Sequence, residues 1–151
     1  MKYLHTFDDI DWSGIELTEL KYKKVTRRLL ETLDGRIRFI VDKMLSYPVD
    51  EYDRCLLDVK VRHLKKDSFS CALPELHYDW VRTYEELPEK HETHFIYSNI
   101  DGTEFSDGTK CLDNSIYTYG RELHRGVLMK EDTTRILIRL TYANNKSIVY
   151  K

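Results

Sequence analysis

Thr133-Thr134-Arg135-Ile136-Leu137-Ile138-Arg139-Leu140-Thr141-Tyr142 is the stretch on which the fold turns. It is rich in β-branched and aliphatic residues and alternates in a way only a strand can use. Ile136, Ile138 and Leu140 fall on one face, and Arg135, Leu137 and Arg139 on the other. If the first face packs on helices or a neighbouring sheet, Arg135 is carried into the interior, where an arginine needs an anion. A carboxylate, gripped through two parallel hydrogen bonds, is its natural partner.

Working backwards, residues 115–119, 103–105, 93–98, 68–73 and 55–64 read as further strands, and 147–150 as a last one. Asn99-Ile100-Asp101-Gly102 is a turn signal between two of them. Short strands with short turns, and no helices alternating with them, predict an antiparallel sandwich or barrel and argue against a parallel α/β sheet. Ahead of them, residues 16–44 place Leu17, Leu20, Val25, Leu29, Leu33, Ile37, Ile40, Val41 and Met44 three to five apart with charge between. That predicts a helical segment over 16–46, divided at Asp34-Gly35, ended at Ser46-Tyr47-Pro48 and packed on one face of the sheet. The expectation is one mainly β domain over 1–151, with a helical buttress at 16–46 and a β core at 52–150.

The chain has 151 residues, a length that suits one domain with its own core. Its 12% of aromatic residues, 11 of them Tyr, argue against disorder. Lys and Arg number 24 against 26 Asp and Glu, so no overall positive field drives nonspecific nucleic-acid binding. No apolar run is long enough to span a membrane, and Met1 to Asp9 lack the apolar centre of a signal peptide. The three cysteines, Cys55, Cys71 and Cys111, show no CxxC spacing. Reduced thiols and a cytoplasmic setting are therefore expected. Phosphate-loop, GxGxxG, HExxH and GxSxG motifs are absent.

The chemistry-bearing pattern is His77-Tyr78-Asp79 with His124 downstream. In extended backbone, positions i and i+2 share a face, so His77 and Asp79 can converge while Tyr78 points away. Two histidines and one carboxylate can occupy one face of a ferrous ion and leave the opposite face open to O₂ and a co-substrate. Zinc held by another combination of His63, Cys71, His91, His94 and Cys111 is an alternative.

His77, Asp79, His124 and then Arg135, eleven positions on, resemble the HxD…H…R signature of the iron- and 2-oxoglutarate-dependent dioxygenases. The strand at 93–98, the glycine turn and Thr103-Glu104-Phe105 are similar to a segment of prolyl-hydroxylase-like members. The eleven-residue step is similar to that of the phytanoyl-CoA dioxygenase branch. The resemblance runs from about Leu56 to Tyr142. It implies a double-stranded β-helix, a jelly-roll barrel of the cupin type buttressed by helices. It further implies that His77, Asp79 and His124 bind Fe(II), that Arg135 grips 2-oxoglutarate, and that O₂ is consumed in hydroxylation or demethylation. Leu137 stands where some members have a serine two positions after the arginine, so a second carboxylate contact is expected from Tyr97 or Ser70.

The substrate is open between a small molecule, a protein side chain and a nucleotide or nucleic acid. Trp80, Arg82, Tyr84, Glu85, Glu86, Arg121 and Arg125 are rim candidates. The chain is short for this family, so the substrate cover is expected to be small, or to come from a protein partner or a second copy. A non-catalytic barrel acting as a binding module, and a cupin-like metalloenzyme that makes no use of 2-oxoglutarate, are the alternative functions.

Overall fold

The computed structural model describes residues 1–16, 19–70, 75–77, 92–120 and 122–144. Its spine is a pair of long strands, β3 (Arg54–Leu64) and β8 (Thr133–Ala143), antiparallel over their whole length with Arg54 opposite Ala143 and Leu64 opposite Thr133. Around them lie β1 (Lys2–Thr6), β2 (Leu20–Lys24), β4 (Glu92–Ser98) and β6 (Ser115–Tyr119). Together they make a six-stranded antiparallel sheet in the order β1-β6-β4-β8-β3-β2. The sheet is open, with β1 and β2 at its two edges, and is not closed into a barrel. The strand readings at 55–64, 93–98, 103–105, 115–119 and 133–142 correspond to β3, β4, β5, β6 and β8. The reading at 68–73 survives as a single bridge from Phe69 to Leu128, and 147–150 lies outside the described residues.

Alternation along β8 has the consequence its sequence predicts. Ile136, Ile138 and Leu140 are buried together with Leu57 and Val59 of β3, Phe95 and Tyr97 of β4, and Ile116 of β6. Against this face packs α2 (Gly35–Leu45), through Ile37, Ile40, Val41 and Met44. Each fully buried aliphatic side chain here contributes about 1.5–3 kcal/mol. The helix starts where Asp34 caps it, its carboxylate accepting from Arg36 N at 2.9 Å, and ends at Ser46, two residues before Pro48. The short α1 (Arg27–Thr32) is capped in the same way by Thr26, which accepts from Leu29 N at 3.1 Å.

The predicted helical segment over 16–46 is too long. Helix occupies 27–32 and 35–45 only, while Leu20–Lys24 is the edge strand β2, paired with β3. Leu17 and Thr18 lie outside the described residues. Leu20 and Val25 are five apart, a step that suits neither helical neighbour position, and both pack on the core from an extended chain. A register shift falls between Leu20 and Lys23, where Tyr22 takes a positive φ of 51° and its N–H donates to Asp58 Oδ1 at 3.2 Å. Lys21, Lys23 and Lys24 suit an edge, where charge discourages pairing with another chain. Strand β1 also went unread in the sequence.

The opposite face of the sheet is polar and yet buried: Asp58, Glu92, His94, Ser98, Arg135, Arg139 and Thr141 all lie on it. A second, small layer covers it, made by β5 (Thr103–Phe105) antiparallel to β7 (His124–Gly126). Bridges from Phe69 to Leu128, His77 to His124 and Glu104 to Lys110 widen this layer on both sides. Phe105 joins the layers by packing with Ile96, Tyr117 and Tyr119 of the large sheet. Among the described residues no helix is long and apolar enough to cross a membrane.

Ile138 sits at the centre of the helix-side core with no exposed surface. Ile138→Ala is expected to lower stability by about 2–5 kcal/mol with an unchanged denaturant slope. Urea unfolding checks this, and a loss below about 1 kcal/mol would place Ile138 outside the core.

Candidate functional site

Residues directly opposite one another in an antiparallel pair project to the same face. His77 and His124 are such a pair and exchange both backbone bonds, His77 N to His124 O at 2.8 Å and His124 N to His77 O at 3.0 Å. On its other side His124 is opposite Phe105. A row His77–His124–Phe105 therefore runs across the small layer. It faces the large sheet, because the His124 ring meets Tyr119 of β6 edge-on at 5.3 Å. Arg125 and Glu104, one position along, point the other way and pair at 3.3 Å. The two imidazoles lie 4.6 Å apart between centroids.

Both histidines are oriented by the same device. His77 Nδ1 lies 2.8 Å from Glu75 O, and His124 Nδ1 lies 3.0 Å from Glu122 O. A carbonyl oxygen only accepts, so in each ring Nδ1 carries a proton and donates. This is how metal-binding histidines are usually held, with the tautomer fixed by a bond from the far nitrogen. Asp79, the third residue of the pattern, lies outside the described residues. Among the described residues no group of three His, Cys, Asp or Glu side chains gathers round one point.

The alternative ligands go elsewhere or are ill suited. His63 is exposed on the helix side of β3, with Nδ1 3.0 Å from Thr134 Oγ1. His94 is buried in the large sheet, with Nδ1 2.9 Å from Thr141 Oγ1. Burial, with Asp101 nearby, pushes the Cys111 thiol up to about 12. Cys71 and His91 lie outside the described residues, as do Trp80, Arg82, Tyr84, Glu85, Glu86 and Arg121 of the predicted rim.

Arg135 stands between the layers, 4% exposed. Its Nε donates to Ser98 Oγ at 3.0 Å, Nη1 to Ser70 O at 3.3 Å and Nη2 to Thr103 Oγ1 at 3.2 Å. Thr103 is two positions before Phe105 on β5, so the guanidinium meets the small layer about one strand repeat, ~7 Å, from the histidine row. Its charge is also felt at Asp101, whose carboxyl is raised by burial and drawn back down by Lys110 and Arg135.

The two residues expected beside Arg135 fare differently. Ser70 is there, but through its carbonyl; its hydroxyl donates to Gly102 O and accepts from Val127 N at 2.9 Å. Tyr97 is not. It lies on the helix-side face of β4, where its hydroxyl donates to Asn114 Oδ1 at 2.5 Å and burial pushes the phenol up to about 12. Alternation explains the correction, since Tyr97 has the opposite parity to Ser98, which does touch Arg135. Ser98 and Thr103 are the contacts that sequence reading missed. Gly102 is there for space, because a Cβ at that position would lie 2.5 Å from Arg135 Cζ.

Gly102→Ala should leave the protein folded, since the atoms it meets end a long side chain, but displace the guanidinium. The Arg135 Nε–H signal in ¹H–¹⁵N spectra should move or broaden; an unmoved signal would refute the close approach. No protein-family model, curated protein or solved structure matches the chain.

Proposed function

We propose that this protein is a non-haem iron oxygenase that uses 2-oxoglutarate, built on a double-stranded β-helix. The observation that carries the reading is the cross-strand pair His77–His124. These residues are 47 positions apart in sequence, are anchored identically through Nδ1, and face the same interlayer space as the buried Arg135. Strand order supports the barrel. From β3 onward the chain passes to Phe69 and His77 of the small layer, then β4, then β5 and Lys110, then β6, β7 and β8. It thus winds between the two layers as a jelly roll does.

The donor set suits Fe(II): two imidazoles, each bonded to a main-chain carbonyl through Nδ1, would ligate through Nε2, and Asp79 supplies a carboxylate in the sequence pattern. When bound, the iron would supply the O₂ chemistry that couples oxidation of 2-oxoglutarate to hydroxylation of a C–H bond. The protein's own part is positional. The carbonyls of Glu75 and Glu122 hold the two imidazoles in orientation through Nδ1, so these two ligands would be set before metal arrives. Arg135, fixed by Ser98, Ser70 and Thr103, is the group suited to the distal carboxylate of the co-substrate. Tyr119 and Phe105 give the metal side an aromatic wall that limits water.

Anaerobic titration of the Fe(II)-loaded protein with 2-oxoglutarate tests this. The weak visible charge-transfer band of a chelated keto acid is expected in the wild type and absent in His77→Ala or Asp79→Ala. Arg135→Lys, which keeps a charge between the layers but loses the two-pronged grip, should bind iron normally but need at least ten-fold more 2-oxoglutarate, a loss of about 1.4 kcal/mol or more. Equal affinity in Arg135→Lys would remove the co-substrate role of that residue. Iron binding without the band would favour a cupin-like metalloenzyme, and no iron binding a non-catalytic module.

A further inference from the structure

The inner face of the large sheet carries a second set of buried polar side chains that iron and 2-oxoglutarate would not use. Parity puts Glu92 and His94 of β4 on this face with Ser98, and Arg139 and Thr141 of β8 there with Arg135. Register sets His94 opposite Thr141, and Asp58 of β3 opposite Arg139. His94 Nδ1 lies 2.9 Å from Thr141 Oγ1, His94 Nε2 lies 3.4 Å from Glu92 Oε1, and Arg139 Nη2 lies 3.5 Å from Asp58 Oδ2. All five side chains are buried.

Glu92 is the informative member. It is 2% exposed, yet among the described residues nothing donates a hydrogen bond to its Oε2. A buried acceptor left in that condition costs about 1–3 kcal/mol, and more when charged. The group lies beside the metal side of the interlayer space, away from the Arg135 end. His94 stacks on Tyr119 at 4.7 Å, and Tyr119 meets His124 at 5.3 Å, so a single ring separates the two histidines. Asp58 and Glu92 give these five side chains two carboxylates against one guanidinium, which favours a cation over an anion.

We propose that Glu92 Oε2 takes a hydrogen bond from a cationic nitrogen of the substrate, so that the substrate presents an ammonium or guanidinium group to this wall. The word substrate rests on the oxygenase reading; the binding of the cation does not. Imidazole ¹H–¹⁵N spectra of the metal-free protein, titrated with methylammonium or methylguanidinium chloride and with sodium acetate as the contrast, test it. The His94 signals should shift saturably with at least one of the cations and not with acetate. Affinity should fall at least ten-fold in Glu92→Gln. No saturable shift in the wild type would overturn the proposal whatever the variant does, as would an equal response to acetate or equal affinity in Glu92→Gln. A 2-oxoglutarate band without cation binding would overturn this inference alone. Cation binding without the band would support it and count against the oxygenase reading.

Discussion

A charged side chain buried between two layers is the constraint on which the structure depends. Arg135 projects from the central strand β8 away from the helix-packed core, and no single sheet could bury it. Its three described bonds go to Ser70 beyond the end of β3, Ser98 at the end of β4 and Thr103 at the start of β5. Hydrogen bonds from a charged donor are worth about 1.5–3 kcal/mol each, so the guanidinium joins the two layers as well as filling the space between them. The small layer's position over the large sheet follows, and with it the facing of the His77–His124–Phe105 row. A function that uses Arg135 as an anion site thus draws on a group that also supports the architecture.

The polar inner face and the apolar outer face come from one alternation repeated on three adjacent strands. Leu57 and Val59, Phe95 and Tyr97, and Ile136, Ile138 and Leu140 face the helix, while Asp58, His94, Ser98, Arg135 and Arg139 face the second layer. Hydrophobic burial therefore concentrates on the helix side, which leaves the interlayer side able to carry unfavourable polar burial. Apolar packing and polar burial are divided between the faces of the same strands.

Much of this was legible in the sequence where period and residue type agreed. Ile136 to Leu140 declared both the strand and its two faces, and among the residues singled out in the sequence His77 and His124 are cross-strand neighbours. The failures have physical causes. Tyr97 was chosen for its hydroxyl, although the parity of its strand turns it toward the helix. Leu20 to Lys24 read as helix because lysines between apolar residues suit an exposed helix face as well as a charged strand edge. The carbonyls of Glu75 and Glu122 that orient the imidazoles are main-chain atoms, which any residue would supply, so composition could not reveal them. Gly102 was visible as a turn residue, but its closeness to Arg135 exists only once β5 and β8 have met.

The full-length pairing of β3 with β8 also bears on how the chain reaches this state. Arg54 meets Ala143 and Leu64 meets Thr133, partners 89 and 69 positions apart in sequence. Contacts of such separation close large loops before they return any stabilisation, and proteins dominated by them fold in milliseconds to seconds. His77 and His124 become neighbours only through pairing of the same long-range kind, in the layer that β8 holds in place through Arg135. A nascent chain that has not yet released residues 133–143 from the ribosome lacks the central strand on which both layers are assembled. The pairing of the two histidines accordingly waits on completion of the large sheet.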